Sequence, residues 1–172
     1  MASFALTQSA HARTLLVDFS SPDIPGSFRV INDDVMGGVS NSRLRSTAGA
    51  VVFEGEVWLE NNGGFASFRG PITFPLGSAV ILLTVRGDGQ RYKLTLKLDD
   101  RPSTAQYQAM FVAPREWQTL RFTPADFAAS SRGRPVTAPT VRLVDVQYVG
   151  VDRKSTRLNS SHSQQSRMPS SA

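Results

Sequence analysis

Histidine is the side chain most often used as a catalytic base or neutral metal ligand near physiological pH, and this sequence holds two, His11 and His162. A Ser-His-Asp triad or a histidine metal cage would therefore have to be assembled around His11 alone. Cysteine is absent, which removes thiolate nucleophiles, zinc-thiolate sites and disulfides, and makes a reducing compartment the easier setting. Asp33-Asp34 and Asp99-Asp100 offer the clustered loop oxygens that calcium favours. Side-chain hydrogen bonding in Asx turns explains the same pairs without a ligand. Glu54 and Glu56 suggest the carboxylate pair of a glycosidase, yet they alternate with apolar residues beside Trp58 and Glu60, as on a solvated face. Gly37-Gly38 and Gly87-Asp88-Gly89 match neither the dinucleotide fingerprint nor a Walker loop, and neither opens a helix. The residues thus supply no catalytic group, no metal set and no cofactor fingerprint, and the chain reads as a non-enzyme.

The elements that must carry these residues are strands, because the apolar pattern has period two. Within 51–60, Val51, Phe53, Gly55, Val57 and Leu59 alternate with Val52, Glu54, Glu56, Trp58 and Glu60, a half-exposed strand with one face mostly carboxylate. Tyr92, Leu94, Leu96 and Leu98 alternate with Lys93, Thr95 and Lys97. The segment 79–85 is apolar on both sides, as in a central strand. Further strands are expected at 15–19, 28–32, 64–69, 106–112, 117–122 and 142–151. Turn residues separate them: Pro22-Asp23-Ile24-Pro25-Gly26, Gly37-Gly38, Asn61-Asn62-Gly63-Gly64, Gly87-Asp88-Gly89 and Asp99-Asp100-Arg101-Pro102. Many short strands, regular turns, no internal repeat and no long amphipathic helix predict an all-β, antiparallel sandwich or jelly roll.

With 172 residues, 40% of them apolar, the chain suffices for one core. The longest apolar run, 79–83, is far short of the roughly 20 residues of a membrane helix. The N-terminus lacks a signal-peptide core, so the expected setting is the cytoplasm, or an organelle if the source is eukaryotic. The formal charge of +5 is concentrated at the C-terminus, since Arg153, Lys154, Arg157 and Arg167 all follow Val151. The preceding body holds 15 basic and 13 acidic residues. That balance, without basic residues interleaved with aromatics, excludes a nucleic-acid footprint. Residues 152–162 resemble the translation of a common sequencing-library adapter. The expected organisation is an N-terminal extension over 1–13, a domain over 14–151, and a disordered, artefactual tail over 152–172 that includes the formal glycosylation sequon at Asn159.

Four blocks carry a resemblance. They are Ile31-Asn32-Asp33-Asp34-Val35-Met36-Gly37-Gly38-Val39-Ser40; Phe53-Glu54-Gly55-Glu56-Val57-Trp58-Leu59-Glu60-Asn61-Asn62-Gly63-Gly64-Phe65-Ala66-Ser67; Arg86-Gly87-Asp88-Gly89 with Tyr92; and Tyr107 with Trp117 and Phe122. In order and spacing they resemble the complex I intermediate-associated protein 30 family over about 15–151. The resemblance implies a galactose-binding-like jelly roll, a role in assembling respiratory NADH:ubiquinone oxidoreductase, protein clients, and no catalytic residues or cofactor. It also implies one further strand after Val146-Gln147-Tyr148-Val149-Gly150-Val151, so the sandwich is expected to lack its last strand. Loops at one end of a sandwich commonly recognise partners, which makes Asp34, Met36, Asn61, Asn62 and Arg86 the candidate rim. Trp58 is a candidate anchor, while Trp117 fits either an anchor or the core. A carbohydrate-binding module of the galactose-binding-like class is the alternative function, resting on fold analogy.

Overall fold

A computed structural model of the chain describes residues 2–7, 14–19, 21, 23–32, 41–47, 49–56 and 64–154. Two antiparallel sheets hold nearly all of their regular secondary structure. The six-stranded sheet contains β1 (Ala2–Thr7), β2 (Leu15–Val17), β4 (Asn41–Thr47), β5 (Ala50–Glu56), β7 (Ile81–Arg86) and β10 (Gln118–Phe122). Its order is β10-β7-β1-β5-β4, with β2 also paired to β1. The seven-stranded sheet contains β3 (Arg29–Asn32), β6 (Phe65–Pro71), β8 (Arg91–Lys97), β9 (Gln106–Val112), β11 (Ala128–Ser131), β12 (Arg134–Pro135) and β13 (Tyr148–Lys154). Its order is β12-β11-β9-β8-β13-β6-β3. Among the described residues, helix is confined to α1 (Ile24–Ser27) and single 3-10 turns at Pro124–Asp126 and Leu143–Asp145. The chain is an all-β sandwich, as its period-two pattern predicts.

Alternation builds the core between the sheets. Tyr92, Leu94 and Leu96 of β8 are buried, as are Val51 and Phe53 of β5 and Leu83 and Val85 of β7. Removing each large apolar side chain from water contributes about 1.5–3 kcal/mol. Aromatic rings join the two layers: Phe53 meets Phe68 of β6 edge-on at 5.1 Å, and Phe111 of β9 meets Phe122 of β10 at 6.0 Å. Leu82 and Leu83 are both buried, which agrees with reading this segment as an interior strand.

The described strands depart from the sequence expectation in several places, among them β11 and β12, which lie in a stretch expected to hold no strand. Residues 2–7, expected as an extension, form β1 between β5 and β7. Ala2, Phe4 and Leu6 alternate there with Ser3, Ala5 and Thr7 over only six residues, and pairing to two neighbours makes the segment an interior strand. β4 was missed because its sequence, Asn-Ser-Arg-Leu-Arg-Ser-Thr, has a single apolar residue; it is an edge strand whose alternation is Arg43-Leu44-Arg45. The segment expected as a strand over 142–151 begins with the 3-10 turn and becomes strand only at Tyr148. β13 then continues past Val151, with Asp152, Arg153 and Lys154 opposite Ser67, Ala66 and Phe65. The remainder of the expected tail, 155–172, lies outside the described residues.

Candidate functional site

Arg86 ends β7, and the turn that follows it is held in place by main-chain bonds. Gly87 N–H donates to the Pro114 carbonyl at 2.6 Å, Gly89 N–H donates to the Ala113 carbonyl at 2.8 Å, and Ala113 N–H returns a bond to the Gln90 carbonyl at 3.0 Å. Gly89 sits at φ 78°, where a Cβ is disfavoured. The Asp88 carboxylate accepts the Gln90 N–H at 3.0 Å and the Tyr92 hydroxyl at 3.2 Å. Burial, then the charge of Asp88, holds the Tyr92 phenol well above its ordinary pKa. That hydroxyl is therefore a neutral donor at physiological pH. Arg153 lies 5.9 Å from the centre of the same ring, closing this end of the core.

This pinned turn and its partner loop display Arg86 against Trp117. The guanidinium carbon stands 5.2 Å from the Trp117 ring centroid, within cation–π reach. Both side chains are exposed, Trp117 at 44%. Trp117 is thus an outer-face residue, and the core alternative for it does not hold. Below the pair, Thr84 and Thr119 hydroxyls share a hydrogen bond at 2.9 Å. The rung of strand partners that includes Arg86 runs through Ser3 and Val52 to Arg45.

Beyond that rung, β4 and β5 continue a further four residues to Asn41 and Glu56. Arg43 and Arg45 both donate to Glu54 Oε1, at 2.8 and 3.4 Å. The bond from Arg43 is the main reason this carboxyl titrates below its ordinary range. Of the face expected to be mostly carboxylate, the described side chains are Val52, which is buried, and Glu54, which is paired with two arginines of the neighbouring strand; Trp58 and Glu60 lie outside the described residues. Cross-strand charge partners are set by register, which a single strand's pattern does not reveal. The signal available was the Arg43-Leu44-Arg45 alternation.

Of the expected rim, Arg86 alone is described. Asp34, Met36, Trp58, Asn61 and Asn62 lie outside the described residues, as do Asp33, Gly37-Gly38 and Glu60. The stretches that hold them open and close at Asn32, Asn41, Glu56 and Gly64. Asn32 and Asn41 are at the same end of the strands as the 87–90 turn, and the Ser42 hydroxyl donates to the Asn32 side chain there. Gly64 has φ 108°, a left-handed conformation that suits the Asn-Asn-Gly-Gly turn chemistry. The other acidic pair, Asp99-Asp100, is engaged within its turn. Asp99 accepts from the Arg101 backbone at 2.9 Å and side chain at 2.7 Å and from Thr104 at 3.0 Å. This pulls its carboxyl down to about 2. Asp100 pairs with Arg29. Among the described residues no group of three or more metal-ligating side chains forms.

The profile of the family described as Complex I intermediate-associated protein 30 matches residues 17–158, most of the chain. The chain belongs to this family. No curated protein matches it. The matched stretch of this Complex I intermediate-associated protein 30 domain runs from the end of β2 through β13 and includes the Arg86 turn, Tyr92 and Trp117. β1 precedes the matched stretch and still occupies an interior position in its sheet. The family is associated with assembly of complex I, and no helix among the described residues is long and apolar enough to cross a membrane.

Proposed function

We propose that this domain is a non-catalytic assembly factor that binds protein clients, subunits of a respiratory NADH:ubiquinone oxidoreductase, through the strand end that carries Arg86. The exposed Arg86–Trp117 pair on its pinned turn is the observation that carries this reading. Tryptophan and arginine are the residues most enriched at the energetic centres of protein interfaces, and a turn fixed by main-chain bonds presents them with little ordering cost. Asp34, Met36, Trp58, Asn61 and Asn62 complete the rim in this reading. Two small clefts, one lined by Ser42, Glu54, Tyr92 and Arg153 and one by Phe19, Phe28, Phe68 and Val149, offer about 10 Å³ each. That is space for about one water rather than a sugar or nucleotide. Carbohydrate recognition is less well supported, because a sugar needs an open aromatic platform and Arg86 covers one face of Trp117. The domain would work in the aqueous compartment bordering the complex, the cytoplasm of a bacterium or the interior of an organelle.

The test is capture of the full chain from its native host with quantitative mass spectrometry. Subunits of partly assembled NADH:ubiquinone oxidoreductase should be enriched over an unrelated tagged β-sandwich. Equal recovery with that control, together with an unchanged size distribution of the complex when the gene is deleted, would contradict the assembly role.

A further inference from the structure

A strand at the end of a sheet carries a row of unpaired N–H and C=O groups, and proteins usually guard such edges. Among the described residues the two sheets end at β10 and β4, and at β12 and β3. β12 is two residues long and ends in Pro135, and β2, paired only with β1, is three. β3 and β4 are tied to each other by the Ser42–Asn32 bond, and β4 carries Arg43 and Arg45. β10 is guarded by none of these devices. It runs five residues, Gln-Thr-Leu-Arg-Phe, in unbroken register against β7, without proline or a bulge. Gln118, Thr119 and Arg121 are exposed.

The side chains along this edge complement a second copy of themselves in one register. Ile81, Leu83 and Val85 of β7 point into the core, so their partners Phe122, Leu120 and Gln118 share the inner face, and Thr119 and Arg121 share the outer face with Trp117. Two identical strands paired antiparallel about a two-fold axis must set outer residues opposite outer residues, so the axis passes through one residue and its own copy. An axis at Arg121 sets two guanidinium groups directly opposite, and one at Gln118 sets Arg121 opposite Arg115, both unfavourable. An axis at Leu120 sets Arg121 opposite Thr119 and gains no charge contact. An axis at Thr119 brings Trp117 of each copy opposite the partner's Arg121. Arg86 already stands 5.2 Å from the centre of the Trp117 ring, and the ring remains 44% exposed, so a second guanidinium from the partner completes a cation–π sandwich. At the axis itself, the Thr84–Thr119 hydroxyl bond of 2.9 Å continues into the partner's Thr119, a favourable cross-strand pair.

We propose that the open edge of β10 is a self-association surface, to which a second copy of this chain adds its own β10 antiparallel about a two-fold axis at Thr119. Pairing joins the two six-stranded sheets edge to edge and satisfies the open row of main-chain groups on both copies. Five residues a side make a small interface, so the association is weak and reversible. The dimer does not rest on the client-docking reading. One consequence does: Trp117 is common to both surfaces, so self-association and client docking compete for it.

Sedimentation velocity of the full chain, followed from low micromolar concentration to about 1 mM, should show a monomer passing reversibly into a dimer. Thr119→Lys places two like charges on the axis and should raise the dissociation constant by about tenfold or more. The register is tested separately by crosslinking, which the absence of native cysteine makes clean. Residues directly opposite in an antiparallel pair lie within disulfide reach. Under mild oxidation Thr119→Cys should therefore form a covalent dimer at least about tenfold faster than Gln118→Cys, which the register sets opposite Leu120, and both should react alike in denaturant. A chain that stays monomeric throughout overturns the proposal and leaves the edge to a client strand. A dimer unaffected by Thr119→Lys, or equal crosslinking at the two positions, overturns it as well. Should Thr119→Lys fail to fold, the crosslinking comparison decides.

Discussion

Gly64 and Gly150 are two positions at which the backbone demands glycine, for different reasons. Gly64 enters β6 at φ 108°, where a β-branched side chain collides with its own main chain. Gly64→Val should therefore lower stability by about 1–3 kcal/mol. Gly150 has an ordinary strand conformation but no room, with the Phe68 carbonyl 2.5 Å from an added Cβ. Gly150→Ala should cost about as much through displacement of β13 from β6. Denaturant midpoints at unchanged slope measure both, and an unshifted midpoint for either would refute its backbone account. The need at Gly64 was legible because Asn-Asn-Gly-Gly is turn chemistry written in consecutive residues. The need at Gly150 was not, since its cause is a carbonyl on another strand. Lys97 teaches the same lesson. Its alternation with Tyr92, Leu94 and Leu96 marked it as outward-facing, and its burial depends on the loop that returns the Arg101 carbonyl to it.

At the scale of elements, strands whose own residues alternate were legible in place and extent. β9 falls on the expected 106–112, and β8 and β10 lie within a residue of expectation. β1, β4, β11 and β12 were not legible: β1 alternates Ala2, Phe4 and Leu6 with Ser3, Ala5 and Thr7 over only six residues, β4 alternates arginine with a single leucine, and β11 and β12 are four and two residues long with no large apolar side chain. What makes them strands is the neighbour to which they pair. β1 bridges β5 and β7, so removing residues 1–7 leaves two strands without their central partner. Such a deletion should cost more than about 4 kcal/mol, a fall in melting temperature of roughly 8–16 °C for a domain this size. Calorimetry of the shortened chain checks this. A melting temperature unchanged from the parent would show that β5 and β7 hold the sheet without β1.

At the scale of the whole molecule, charge and apolar surface are divided between faces. The six-stranded sheet presents Arg86 and Trp117 at one edge and Arg43, Arg45 and Glu54 at the other. The seven-stranded sheet carries the partly exposed Arg69 and the buried Lys97. The body's near balance of charge did not reveal this division, because formal counts carry no positions. The central claim, that the Arg86–Trp117 pair serves recognition rather than folding, is tested most directly by comparing Arg86→Ala and Trp117→Ala with the parent in two measurements on the same preparations. An exposed cation–π pair contributes only about 0.5–1 kcal/mol, so both variants should melt within a few degrees of the parent. Binding of the client subunit enriched by host capture should meanwhile weaken by about tenfold or more, as expected for an interface anchor. If affinity is unchanged in both variants, or falls only in step with lost stability, the pair is a brace for the 87–90 turn and the docking account is wrong.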